Sequence, residues 1–162
     1  MSSWVADPAH FELGTDGPGA IVVGIDDSPT ALRALDYAAG LARRQKARLV
    51  AVHVRSLRGI PCTVDPYGYA AVCAAAEAGL DAQEALQADL NTEVARLARL
   101  WDVRAELVFR DGDPLRELNA VADEQRADSI VVGASTRLGS RLAGSLPARL
   151  VRHRGRPVTV VS

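Results

Sequence analysis

The stretch Ala20-Ile21-Val22-Val23-Gly24-Ile25-Asp26-Asp27-Ser28-Pro29 decides how the rest of the chain is read. An uncharged, mostly apolar run ends abruptly in two carboxylates. A short run of this kind, bounded by turn residues, predicts a buried strand. Ser28 can offer its hydroxyl to the unpaired N–H groups of a helix start. Pro29 suits the first helical position, where no N–H is needed. The helix that follows is expected to bury Leu32, Leu35, Ala38, Ala39 and Ala42.

The same grammar recurs downstream. Arg48-Leu49-Val50-Ala51-Val52-His53-Val54 predicts a second buried strand, and residues 55–69, with Gly59, Pro61, Pro66 and Gly68, a loop. Leu86, Leu90, Val94 and Leu97 recur at helical spacing, so the second half of 70–100 predicts an amphipathic helix. Gly79 is expected to set the first half apart. Val103 to Phe109 alternates as a third strand, and Asp113-Pro114 repeats the cap-plus-proline start. The third helix is expected to turn Leu115, Leu118, Val121 and Ala122 inward. Ser129 to Val132 predicts a fourth strand. A loop from Gly133 leads to Gly144-Ser145, which opens a fourth helix with Leu146, Leu150 and Val151 inward. Pro157 to Val161 predicts the last strand. Alternation of this kind predicts a mainly parallel five-stranded sheet with helices on both faces. Ligands of such sheets bind beyond the carboxyl ends of the strands, where strand order reverses. Function is therefore expected at 26–28, 54–56 and 133–145.

Composition narrows the function classes. The 162 residues are 48% hydrophobic and 24% charged, as in globular proteins. Residues 1–19 read as a flexible arm and not as a signal peptide, and residues 20–162 as one domain. No apolar run reaches the ~20 residues of a membrane span, so no membrane role is expected. Cys62 and Cys73 form no CxxC and read as free thiols of a cytoplasmic protein. The net charge of −1 hides an asymmetry: −7 over residues 1–128 and +6 over 129–162, where six arginines meet no acid. Arg137 and Arg141 fall in the loop after strand four. Arg149, Arg152, Arg154 and Arg156 are expected to face the acidic remainder, solvent or a second subunit. Aromatics are 4% and no nucleic-acid motif occurs, so no nucleic-acid partner is expected.

No catalytic constellation stands out. His10, His53 and His153 lack a supporting nucleophile or metal-ligand spacing, and His53 reads as a core or edge residue. Asp26 is placed to accept a base amine or a ribose hydroxyl, or to bind a metal, whereas Asp27 reads as solvated. Glycines, hydroxyls and arginines between Gly133 and Ser145 suit an anion. The segment is no Walker A motif. The acidic pair also suggests a response-regulator receiver, but that site needs a lysine near strand five, and the one lysine is Lys46.

Taken together, Ile21 to Ser28, Val52-His53-Val54, Asp111-Gly112-Asp113-Pro114, Ile130 to Gly133, Gly144-Ser145 and Arg156 to Val161 resemble the universal stress protein family over residues 20–162. The resemblance implies a flavodoxin-like, adenine nucleotide alpha hydrolase-like three-layer sandwich. It implies a homodimer through the C-terminal strand Val158 to Val161, with further protein partners unknown. It also implies ATP, with Mg possible beside it, as the ligand. Asp26 and the backbone of Val54 would then meet adenine, and Gly24 and Val132 would also belong to the binding site. Gly133 would lie beside the ribose, Ser135, Thr136, Arg137, Gly144 and Ser145 would hold the phosphates, and Leu146 would also belong to the site. The sequence departs from the family's glycine pattern. Thr136 replaces its second glycine, seven residues rather than nine separate that position from Gly144, and Asp27 stands where a glycine is usual. Some members lack the pattern and do not bind ATP, so the alternative is a nucleotide-free module that recruits partners. Slow hydrolysis or autophosphorylation is a third reading.

Overall fold

A computed structural model of the chain describes residues 19–26, 28–55, 69–134, 144–153 and 155–162, with 69–78 described as backbone only. The elements alternate as β1 (Ala20–Ile25), α1 (Pro29–Gln45), β2 (Arg48–Arg55), α2 (Tyr69–Trp101), β3 (Ala105–Asp111), α3 (Pro114–Glu124), β4 (Ala127–Gly133), α4 (Leu146–Arg152) and β5 (Val158–Val161). The strands form one parallel sheet in the order β3-β2-β1-β4-β5. The expected α/β sandwich is therefore observed. Most of the arm expected at 1–19 lies outside the described residues. Gly19 is tied to the sheet by its carbonyl, which accepts the Arg48 N–H at 2.8 Å.

The pleat of β1 sorts its side chains between two cores. Ile21, Val23 and Ile25 join Leu49, Ala51 and Val131 beneath α1 and α2. Ala20 and Val22 join Val50, Val52, Ile130 and Val132 beneath α3 and α4. Both faces are covered, which is why β1 reads as a continuous apolar run.

The first helix starts as its sequence predicts. Ser28 Oγ accepts the Ala31 N–H at 3.2 Å, and the Ser28 N–H donates to Asp26 Oδ1 at 2.9 Å. Asp113 likewise caps α3, accepting from the Arg116 N–H at 3.3 Å. Three expectations are corrected. Gly79 does not divide the helix: α2 runs unbroken through it. A mid-helix glycine costs about 1 kcal/mol relative to alanine, which long flanking helical segments absorb. Leu32 and Val151 are exposed rather than inward. The buried stripe of α1 runs through Ala31, Ala34, Leu35, Ala38, Ala39 and Ala42, and Leu32 lies outside it. In α4, Leu150 fills the contact, and Val151 is turned about 100° away from it.

Candidate functional site

Strand order reverses between β1 and β4. From β1 the chain steps outward through β2 to β3, then crosses to β4 and β5 on the other side. A cleft of about 230 Å³ opens there, at the carboxyl ends of the strands. Its residues come from β1, β2 and β4 and from the amino ends of α1, α3 and α4.

Gly24 explains why the cleft exists. It follows Ala20 and Val22 on the α3 face of β1, opposite Val52 and Val132 in the ladder. A Cβ there would stand 3.1 Å from Leu118 Cδ1 and 3.3 Å from Val132 Cγ1. The missing side chain leaves the ends of Val52, Val132 and Leu118 as an apolar lining. Gly133 does a different job. A Cβ at Gly133 would fall 2.7 Å from the Thr30 carbonyl and 2.8 Å from the Ala31 nitrogen. The glycine therefore lets the amino end of α1 rest directly on the end of β4.

Polar groups lie at the rim. Asp26 is exposed and lines the cleft, with one carboxylate oxygen engaged by the Ser28 N–H. Ser28 Oγ and Thr30 Oγ1 share a hydrogen bond of 3.2 Å. Thr30 is buried, 5% exposed, and also lines the cleft. His53 stands apart from this lining. Its Nδ1 lies 3.1 Å from the Ile25 carbonyl and its ring meets the Phe109 edge, so the core or edge reading describes it.

The fourth wall is α4, through Leu146 and Pro147. Arg149 holds this helix to α3, with Nη2 3.0 Å from Asp113 Oδ2. Arg156 reaches Asp123 and donates from Nε to the Ala127 carbonyl at 2.7 Å. Two of the four C-terminal arginines thus face the acidic remainder, as their sequence context suggests.

Of the expected site residues, Gly24, Asp26, Val54, Val132, Gly133 and Leu146 converge on the cleft. Gly144 and Ser145 stand next to it in sequence but are not among its lining residues. Among the described residues nothing lies within 4 Å of where a Cβ at Gly144 would stand, and Ser145 occupies the N-cap position of α4 without a side-chain cap bond. Ser135, Thr136, Arg137 and Arg141 lie outside the described residues. Ser28 and Ala134 line the cleft within stretches where function was expected, whereas sequence reasoning missed Ile25, Thr30, Ala31, Val52, Pro114, Leu118 and Pro147 as lining residues. The two prolines carried a signal, because each marks a helix start that faces the carboxyl ends of the strands. Among the described residues no cluster of three or more His, Cys, Asp or Glu could hold a metal, and no helix is long and apolar enough to cross a membrane.

Comparison with known proteins agrees with this geometry. The pattern of the universal stress protein family matches residues 19–162. A family member from Burkholderia pseudomallei is 30% identical, with a TM-score of 0.65 over 88% of this chain and 95% of that one. A universal stress protein solved in complex with cAMP is 25% identical, with a TM-score of 0.63 over 89% and 96%. The Archaeoglobus fulgidus protein solved in complex with dAMP is 26% identical, with a TM-score of 0.59 over 89% and 98%.

Proposed function

The chain belongs to the universal stress protein family, and from that premise we infer that its cleft takes an adenine nucleotide as a regulatory ligand in the cytoplasm. The observation that carries this reading is the convergence of Gly24, Asp26, Val54, Val132 and Gly133 on one cleft at the switch point. An apolar slot with a carboxylate at its rim suits a flat base with an exocyclic amine. Relatives solved with cAMP and dAMP support the same ligand class. At about 230 Å³ the cleft is smaller than the roughly 300–1,000 Å³ typical of small-molecule sites. The described walls are therefore matched to the nucleoside end of the ligand, and the phosphates fall to 133–146. Asp26 is the one carboxylate among the described lining residues, so on this side a magnesium ion accompanying ATP would be held largely by the phosphates. In this reading the ligand is bound as a signal.

Calorimetry with AMP, cAMP and ATP–Mg tests the reading. Binding of at least one is expected, weakened about tenfold by Asp26→Ala, the scale of one hydrogen bond to a charged group. Absence of heat with all three would leave the nucleotide-free recruiting module in its place.

The same reading includes a homodimer through β5. This strand bonds to β4 along one side, through Ile130 N–H to Pro157 O and Ala134 N–H to Val161 O. Its other side is an edge of the sheet, with Val160 44% exposed. An apolar edge strand invites pairing. Light scattering is expected to give a dimer mass that Val160→Lys reduces to the monomer; a monomeric parent protein would refute the pairing.

A further inference from the structure

The end of the molecule opposite the cleft carries a second, unrelated surface. There the amino ends of the strands and the carboxyl ends of the helices meet. Arg43, Arg44 and Lys46 close α1, Arg99 lies in the last turn of α2, and Arg104 and Arg126 precede β3 and β4. All six are exposed, and none has an ion-pair partner among the described residues. The backbone makes the cluster contiguous. Leu49 N–H bonds to the Arg104 carbonyl at 2.8 Å, and Arg48 Nη1 reaches Gln125 Oε1, next to Arg126, at 3.0 Å. Of the acids at this end, Asp123 and Glu124 are taken by Arg156 and Arg110. Among the described residues Asp102, Glu106 and Asp128 remain as a minority among the cations.

Apolar groups interrupt the charge. Leu100 is 62% exposed, one residue from Trp101, whose half-buried ring carries the Arg43 guanidinium 5.7 Å from its centroid. Arginine and tryptophan beside an exposed leucine is the composition of a protein-binding hot spot. It is not that of a stacking platform for nucleic-acid bases, because the one indole here among the described residues is half-buried and already carries Arg43. We propose that this pole is a docking surface for an acidic segment of a partner protein, with carboxylates on Arg43, Lys46, Arg99, Arg104 and Arg126 and an apolar side chain on Leu100.

The test titrates the full chain into a fluorescein-labelled synthetic peptide rich in Glu and carrying two leucines, followed by anisotropy. The peptide is expected to bind, more weakly as salt is raised, and its Glu-to-Gln counterpart is not. Arg43→Glu with Arg104→Glu is expected to weaken binding tenfold or more, since like charges at an interface are strongly unfavourable. Lys46→Glu with Arg126→Glu, an independent pair, should do the same. Arg33→Glu, at the other end of α1, should leave peptide affinity unchanged. All five substituted positions are exposed, so unaltered thermal melting separates lost docking from lost folding, and nucleotide affinity is expected to stay as in the parent. The proposal is overturned if the peptide does not bind, if both reversed pairs bind it as the parent does, or if poly-uridylate or phosphatidylserine vesicles bind in preference to it.

Discussion

Gly133 and Arg126 show how much rests on single backbone positions. At Gly133 a methyl group would meet backbone atoms of Thr30 and Ala31, which cannot swing aside as a side chain can. Gly133→Ala is expected to cost about 1–3 kcal/mol in urea unfolding, the range for forcing extra atoms into a packed site. Arg126 holds φ at 49°, in the left-handed region where an L-residue is disfavoured by about 1–2 kcal/mol. Glycine has no such penalty but loses more entropy on folding. Arg126→Gly should therefore stabilise by a net of about 0.5–1 kcal/mol, readable as a raised urea midpoint. The sequence made the strand-end residues legible because Asp26, Ser28 and Pro29 have strong local roles. It did not reveal that Gly133 is required by the approach of α1, since that contact joins residues about a hundred positions apart.

At the scale of elements, Asp113 ties α3 to α4. Its carboxylate caps α3 through the Arg116 N–H and accepts from both terminal nitrogens of Arg149. Removing a cap costs about 0.5–2 kcal/mol. Asp113→Ala should exceed the cost of Arg149→Met, because it removes both interactions, and the two should be non-additive in a double-mutant cycle. A weaker tie lies on the surface of α2. Arg96 donates to Glu93 and holds its carboxyl below the ordinary 4.5, against an opposing effect of burial. The folded pKa is the lower one, so this contribution is present above the unfolded value and fades as pH falls through the folded one. The small destabilisation expected of Arg96→Gln at neutral pH should thus vanish in strong acid, as urea midpoints at the two pH values will show. Element order was legible from periodicity and turn residues. The exposure of Leu32 and Val151 was not, because hydrophobicity reports preference while burial depends on which helix face the sheet meets.

Across the whole molecule, the sheet separates two cores that touch different helices. Leu97 of α2 is fully buried in one, and Leu118 of α3 is 1% exposed in the other. Each leucine-to-alanine change is expected to cost about 2–5 kcal/mol. Because the cores lie on opposite faces, the double variant should lose the sum, and strong coupling in thermal or urea unfolding would contradict the layered arrangement. The cleft was foreseen for the same architectural reason: a parallel sheet gathers its strand ends on one side. The basic pole was not foreseen, because its cations are dispersed along the chain and only the fold assembles them. The sequence asymmetry instead drew attention to residues 129–162, where Arg149 and Arg156 are spent in ion pairs.

Three helices return to the sheet through one left-handed residue each: Lys46, Asp102 and Arg126, at φ of 56°, 50° and 49°. None is glycine, although glycine is the easiest residue to place there. Two of the three are cations of the proposed docking pole. Engineering the protein for heat resistance and preserving its recognition therefore pull against each other at these turns. A glycine-swapped version that survives longer in storage would present a blander face to an acidic partner, so a thermostabilised variant is the wrong reagent for finding that partner.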